Sequence, residues 1–127
     1  MVQIKFLTGR VIEVDANSLS GLDLSGADLH RVLLNEQDLR GSCFREARAR
    51  GAFFYDSDLS NCDLTQANLQ SSFLMRSRLC RVSLLGAQLR YANLTCANLV
   101  GANLHDADVW RAEFRGAQLD VSVHALF

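Results

Sequence analysis

A five-residue period governs this chain from Leu19 to Leu119. Stepping by five from Leu19 meets leucine or phenylalanine at 19 of 21 positions, interrupted only by Ala49 and Val109. Leu and Phe supply 28 of the 127 residues, so composition alone would place about five of them on that grid. Two residues before each grid position, from Leu22 to Ala117, 18 of 20 residues are Ala, Ser, Cys or Val, with Leu22 and Gln37 the exceptions. The run Ala87 to Val109 states the phrase without a slip: alanine, a polar residue, a large aliphatic residue, then two variable positions.

A period of five suits neither regular element. On a helix each step of five advances about 140° around the axis, which spreads the leucines over every side, and on a flat strand an odd step alternates faces. The backbone must therefore turn by a fixed angle once per unit. A small and a large residue at the same two places in every unit then point to one shared interior, with the other three positions outside.

The pattern of small residue, Asp or Asn, Leu or Phe, and two variable residues resembles that of the pentapeptide-repeat proteins over about residues 17 to 121. The resemblance implies an all-β fold, a right-handed quadrilateral parallel β-helix (a pentapeptide-repeat solenoid) in which four units make one square coil of 20 residues. Twenty units centred on Leu24 to Leu119 give about five coils, a rod roughly 24 Å tall at the usual strand spacing. A 20-residue coil would stack Leu33, Phe53 and Phe73, which stand where the family prefers Asp or Asn, directly above one another.

Outside the repeat, Val2–Leu7 and Arg10–Val14 read as a β-hairpin turning at Thr8-Gly9. Threonine is a poor residue for the positive φ of a two-residue turn, which leaves room for a longer loop. The expected organisation is an N-terminal β-hairpin cap over 1–16, the β-helix over 17–121, and a C-terminal tail over 122–127 that covers part of the last coil. Ala49 leaves space for roughly a leucine side chain, to be met by local distortion or by Phe44 and Phe54 filling it.

The formal net charge of −1 excludes bulk affinity for nucleic acid, and twelve arginines against the single Lys5 favour planar, specific contacts. Cys43, Cys62, Cys80 and Cys96 form no Cys-x-x-Cys, so no metal or other cofactor is expected and the thiols fit a cytoplasmic setting. No stretch approaches the roughly 18 apolar residues of a spanning helix, and membrane association is not expected. Titratable residues do not converge: His105-Asp106 with Asp108 is the one local cluster, and neighbours in such a repeat point apart. The chain therefore reads as no enzyme.

Sorting outward residues by their place in a square coil gives four walls. One carries an apolar face, Leu33, Phe53, Tyr55, Phe73 and Met75, expected to contact a protein partner, with a second copy of the chain as one candidate. Another carries Arg31, Arg48, Arg50 and Arg90 with His30, Tyr91, Trp110 and Arg111, a composition that suits an anionic partner, although Asp28 and Asp108 dilute the field. The other two walls mix acids and arginines, and their carboxylates are expected to bond the turn backbone. The function expected on these grounds is a non-catalytic protein–protein interaction module. The alternative is implied by resemblance alone: some members of the family imitate duplex DNA and bind topoisomerases such as gyrase, a role that needs a continuous negative surface.

Overall fold

The computed structural model describes residues 1–120, so the tail placed at 122–127 lies outside the described residues. From residue 21 onward one backbone unit repeats. In each, the third residue after an outward Asp-type position adopts positive φ, at residues 21, 26, 31 and every fifth residue to 116, with φ between 56° and 75°. The N–H after this residue donates back across the turn, as from Ala27 to the Leu24 carbonyl (3.1 Å) and from Ala52 to Ala49 (3.1 Å). Positive φ at the third turn residue alone is the signature of a type II turn. This turn, once per unit, is the fixed bend that the five-residue period demands.

Four bends close a coil. Each residue preceding a central leucine bridges its counterpart 20 positions later, always in parallel, from Asp23↔Cys43 through Asn98↔Gln118. The central N–H donates to the next coil, as from Leu24 to the Cys43 carbonyl (2.7 Å), and the preceding N–H donates to the coil before, as from Phe53 to Val32 (2.8 Å). Backbone groups are thus satisfied between coils, as sheet strands satisfy them.

The interior takes the residues the period assigned to it. Central Leu29 to Leu104 and the small residues from Val32 to Ala102 are buried, with one exception. Gln37 stands at an inward position of the first coil yet is exposed. Each buried leucine contributes roughly 1.5–3 kcal/mol. At Ala49 the backbone keeps its ladder bond to Asn68 (2.9 Å), and the Phe44 and Phe54 rings, reaching in from opposite walls, meet edge to face at 5.9 Å and 81°. The gap is filled by repacking and the coil is undistorted.

The hairpin comprises β1 (Val2–Phe6) and β2 (Val11–Val14), paired antiparallel with Lys5 opposite Val11. Its loop is longer than two residues: Gly9, at φ 93°, donates to the Phe6 carbonyl and Phe6 donates to Arg10, both at 3.0 Å. A third strand, β3 (Val32–Leu33), belongs to the first coil and pairs antiparallel with β1, Lys5 opposite Leu33. Alternation along β1 turns Ile4 and Phe6 inward, where both are buried in the core and cover the end of the first coil.

Candidate functional site

The geometry offers walls rather than a reaction centre. Among the described residues no group of three or more His, Cys, Asp or Glu side chains is placed to hold a metal ion. His105 and Asp106 lie 3.4 Å apart, but both are about three-quarters exposed and no third group joins them. Cys62 is buried at a small inward position, its thiol donating to the Leu39 carbonyl (2.9 Å), and burial pushes it up to about 12.

The outward Asp and Asn side chains do what short polar residues do beside turns. Asp23, Asp28, Asp38, Asp58, Asp63, Asn68, Asn93, Asn98, Asn103 and Asp108 each accept, through Oδ1, the N–H two residues ahead at 3.0–3.4 Å. These Asx turns preorganise the corner. Leu33, Phe53 and Phe73 stand in the same structural place and supply no acceptor, so three successive coils forgo the bond in one column.

That column is the apolar face. Leu33, Phe53 and Phe73 are bridged in series, and the two phenyl rings stack with centroids 4.7 Å apart and planes 11° off parallel. Tyr55 and Met75 flank them. All five are half-buried rather than fully outside, because each ring covers part of the next. The hairpin extends this wall: Lys5 bridges Leu33 and Val11 bridges Lys5, giving a single row Val11, Lys5, Leu33, Phe53, Phe73, Asn93, Glu113. The sequence period gave no sign that Lys5 and Val11 join it.

The arginine and aromatic residues stand on one wall at different heights. Arg90, Tyr91, Trp110 and Arg111 cluster near the last coils: Arg90 reaches Asp108 at 2.5 Å, both guanidinium groups lie over the Trp110 ring at 5.4 and 4.8 Å, and Tyr91 meets Trp110 edge-on at 5.4 Å. Arg31, Arg48 and Arg50 lie toward the hairpin, where none makes an ion pair among the described residues. Asn68, Gln70, Ser71 and Gln88 separate the two groups as a neutral band. Residues that share this wall are set apart by their height along the rod, Arg31, Arg48 and Arg50 toward the hairpin and Arg90, Tyr91, Trp110 and Arg111 toward the last coils.

The mixed walls are laced with ion pairs. Arg40 pairs with Asp38 at 2.8 Å and approaches Asp58 at 3.9 Å, Arg76 pairs with Asp56 at 2.8 Å, and Arg45 pairs with Asp63 at 3.1 Å. The Arg40 side chain holds the Asp38 carboxyl down to about 2. Carboxylates neutralised in this way do not build a continuous negative surface.

A square coil of four five-residue units, with an Asx turn at half of its corners, defines a solenoid of pentapeptide repeats. The family model for pentapeptide repeats matches the chain in eight copies, over residues 18–56, 57–95 and 83–120, and the chain belongs to that family. Among solved structures it is similar to the pentapeptide repeat protein Rfr23 from the cyanobacterium Cyanothece 51142, at 20% identity, with 81% of this chain and 87% of that one covered and a TM-score of 0.71. A pentapeptide repeat protein from Nostoc PCC 7120 matches at 30% identity over 77% of this chain and 84% of that chain, TM-score 0.40. QnrB1, a plasmid-mediated fluoroquinolone resistance protein, matches at 17% identity over 89% and 91%, TM-score 0.28. No curated protein matches the sequence. No helix among the described residues is long and apolar enough to cross a membrane.

Proposed function

We propose that this chain is a non-catalytic interaction module whose working surface is the wall bearing Leu33, Phe53, Tyr55, Phe73 and Met75. The observation that carries the reading is the stacked Phe53–Phe73 pair at the middle of that wall, with Lys5 beyond one end of the column and Asn93 and Glu113 beyond the other. An apolar centre with a polar rim is the anatomy of a protein interface. Ten of the twenty units place a turn-stabilising Asp or Asn here, whereas these three place apolar side chains that form one continuous strip across successive coils. A flat wall suits a flat partner, and a second copy of the chain supplies one.

The test compares the parent with Phe53→Ser/Phe73→Ser by sedimentation velocity from 1 µM to 1 mM, concentrations that span the weak-interface range. The parent forms a concentration-dependent dimer and the double variant, with an unchanged circular dichroism spectrum, stays monomeric. A monomeric parent, or a variant of unchanged mass, removes self-association as the activity of this wall.

The topoisomerase-binding alternative rests on the family resemblance. It needs a continuous negative surface, whereas Asp38, Asp56, Asp63 and Asp108 here each face an arginine. A gyrase supercoiling assay with micromolar protein separates the readings: altered supercoiling or quinolone sensitivity favours the alternative, and unaltered gyrase removes it.

A further inference from the structure

The column of corner residues next to the apolar wall runs Arg31, Gly51, Ser71, Tyr91, Arg111, one residue per coil. Gly51 is the position in it without a side chain, at φ 65°, and a Cβ built there would meet only the Arg31 Cγ, at 3.5 Å. A surface cleft of about 400 Å³ lies here, lined by His30, Arg31, Arg50, Gly51 and Ser71. Backbone bonds fix the height of its walls: Arg31 N–H donates to the Arg50 carbonyl (3.0 Å) and Gly51 N–H to that of Gln70 (2.9 Å).

The charge in this cleft is uncommitted. Arg40, Arg45, Arg76 and Arg90 each hold a carboxylate, whereas Arg31 and Arg50 hold none among the described residues. Asp28 lies 3.8 Å from the His30 ring. The lining therefore presents two guanidinium-bearing side chains, an imidazole and a hydroxyl around one surface cleft.

We propose that this cleft binds a single phosphate-type oxyanion, a phosphomonoester dianion. Two fixed positive charges match its two negative ones, and three free oxygens use more donors than a carboxylate accepts. A nucleic-acid backbone is the wrong occupant: it needs cations repeated along a track, and beyond Arg48 the wall continues with the neutral Asn68, Gln70 and Gln88. This inference is independent of the apolar wall.

The test is a heteronuclear NMR titration of the whole chain at low salt with inorganic phosphate, a phosphoserine pentapeptide, its unphosphorylated form and a ten-nucleotide single strand. Saturable shifts confined to the His30 ring, the Arg31 and Arg50 side chains and Ser71 are expected with both phosphates and not with the unphosphorylated peptide. A tighter fit of the peptide identifies a phosphorylated protein as the source, and equal fits identify free phosphate. Arg31→Gln/Arg50→Gln weakens binding at least about tenfold, while Arg111→Gln, in the other cluster, leaves it unchanged. The proposal is overturned by shifts that fail to saturate, by binding that survives the double variant, or by a single strand that binds more tightly than either phosphate.

Discussion

The filled gap at Ala49 makes a quantitative demand. Ala49 is buried in a coil whose other central residues are Phe44, Phe54 and Leu59, and the two rings meet at 5.9 Å across the space a longer side chain at 49 would enter. Ala49→Leu restores the commonest residue of the repeat and nonetheless overpacks this coil, at a cost of about 1–3 kcal/mol. Phe44→Leu alone removes the edge-to-face contact and leaves a small void, a loss of roughly 1–2 kcal/mol. Together they return the coil toward an all-leucine interior, so the double variant should be more stable than the sum of the singles by at least about 1 kcal/mol. Guanidinium unfolding of the four proteins measures this, provided the slopes agree so that midpoints compare. Additivity within about 0.5 kcal/mol, or an Ala49→Leu chain as stable as the parent, would refute the repacking account.

Thirteen non-glycine residues occupy the positive-φ corner, and Glu46, exposed at φ 57°, makes no side-chain hydrogen bond among the described residues. Glu46→Gly should raise stability by roughly 0.5–1 kcal/mol net of the added chain entropy, whereas the same change at Ser25, which precedes a corner, should lower it. Acid should weaken the fold through carboxyls whose native values are lowered: Asp38 by the Arg40 side chain, Asp23 by the Ser25 hydroxyl, Asp108 by Arg90 and Asp56 by Arg76. Their contribution is present above the unfolded carboxyl range near about 4 and is lost as pH falls through the native values, so the urea midpoint should drop between about pH 4 and pH 2, less steeply in Asp38→Asn. Iodoacetamide applied at pH 8 to the native protein should label exposed Cys96 and spare Cys62 until unfolding, read by peptide mass.

The interior was legible because it is one-dimensional: a residue's place in the five-residue phrase decides whether it is inside, and between residues 29 and 104 the rule failed only at Gln37, while inward residues of the end coils are partly buried. The stacking of Leu33, Phe53 and Phe73 was legible for the same reason. The walls were less so. Grouping Arg31, Arg48 and Arg50 with Arg90 and Arg111 follows from counting residues around the coil, but their separation depends on height and on the neutral residues between. The diagonal pairs Arg45–Asp63 and Arg90–Asp108 join residues 18 apart, a separation that appears only when side-chain lean is added to the 20-residue offset. Nothing in the period marks Gly51, and the cleft beside it is set by Arg31 and Ser71 as its vertical neighbours. Nothing in the period indicated which wall would receive β1, since the hairpin lies outside the repeat.

That last placement gives the apolar wall a direction. Its central row reads Lys5, Leu33, Phe53, Phe73, Asn93, Glu113, opposite charges at the two ends and rings in the middle. Two copies packed wall to wall with rods parallel set Lys5 against Lys5 and Glu113 against Glu113. Packed antiparallel about a two-fold axis between the Phe53 and Phe73 rows, they set Phe53 against Phe73 and Lys5 against Glu113 twice, so charge selects the antiparallel arrangement. Lys5→Glu puts two like-charge contacts in place of two favourable ones and should weaken the dimer about 5- to 30-fold, an effect that shrinks in 0.5 M salt. Adding Glu113→Lys should restore the parent's affinity, because the swapped pair meets again in the same register. Both residues are exposed, so the monomer fold is not at stake in either variant. Sedimentation equilibrium across the four charge combinations reads the cycle: a dimer indifferent to Lys5→Glu, or one that the second swap weakens further, would leave the rings as an interface and discard the antiparallel register.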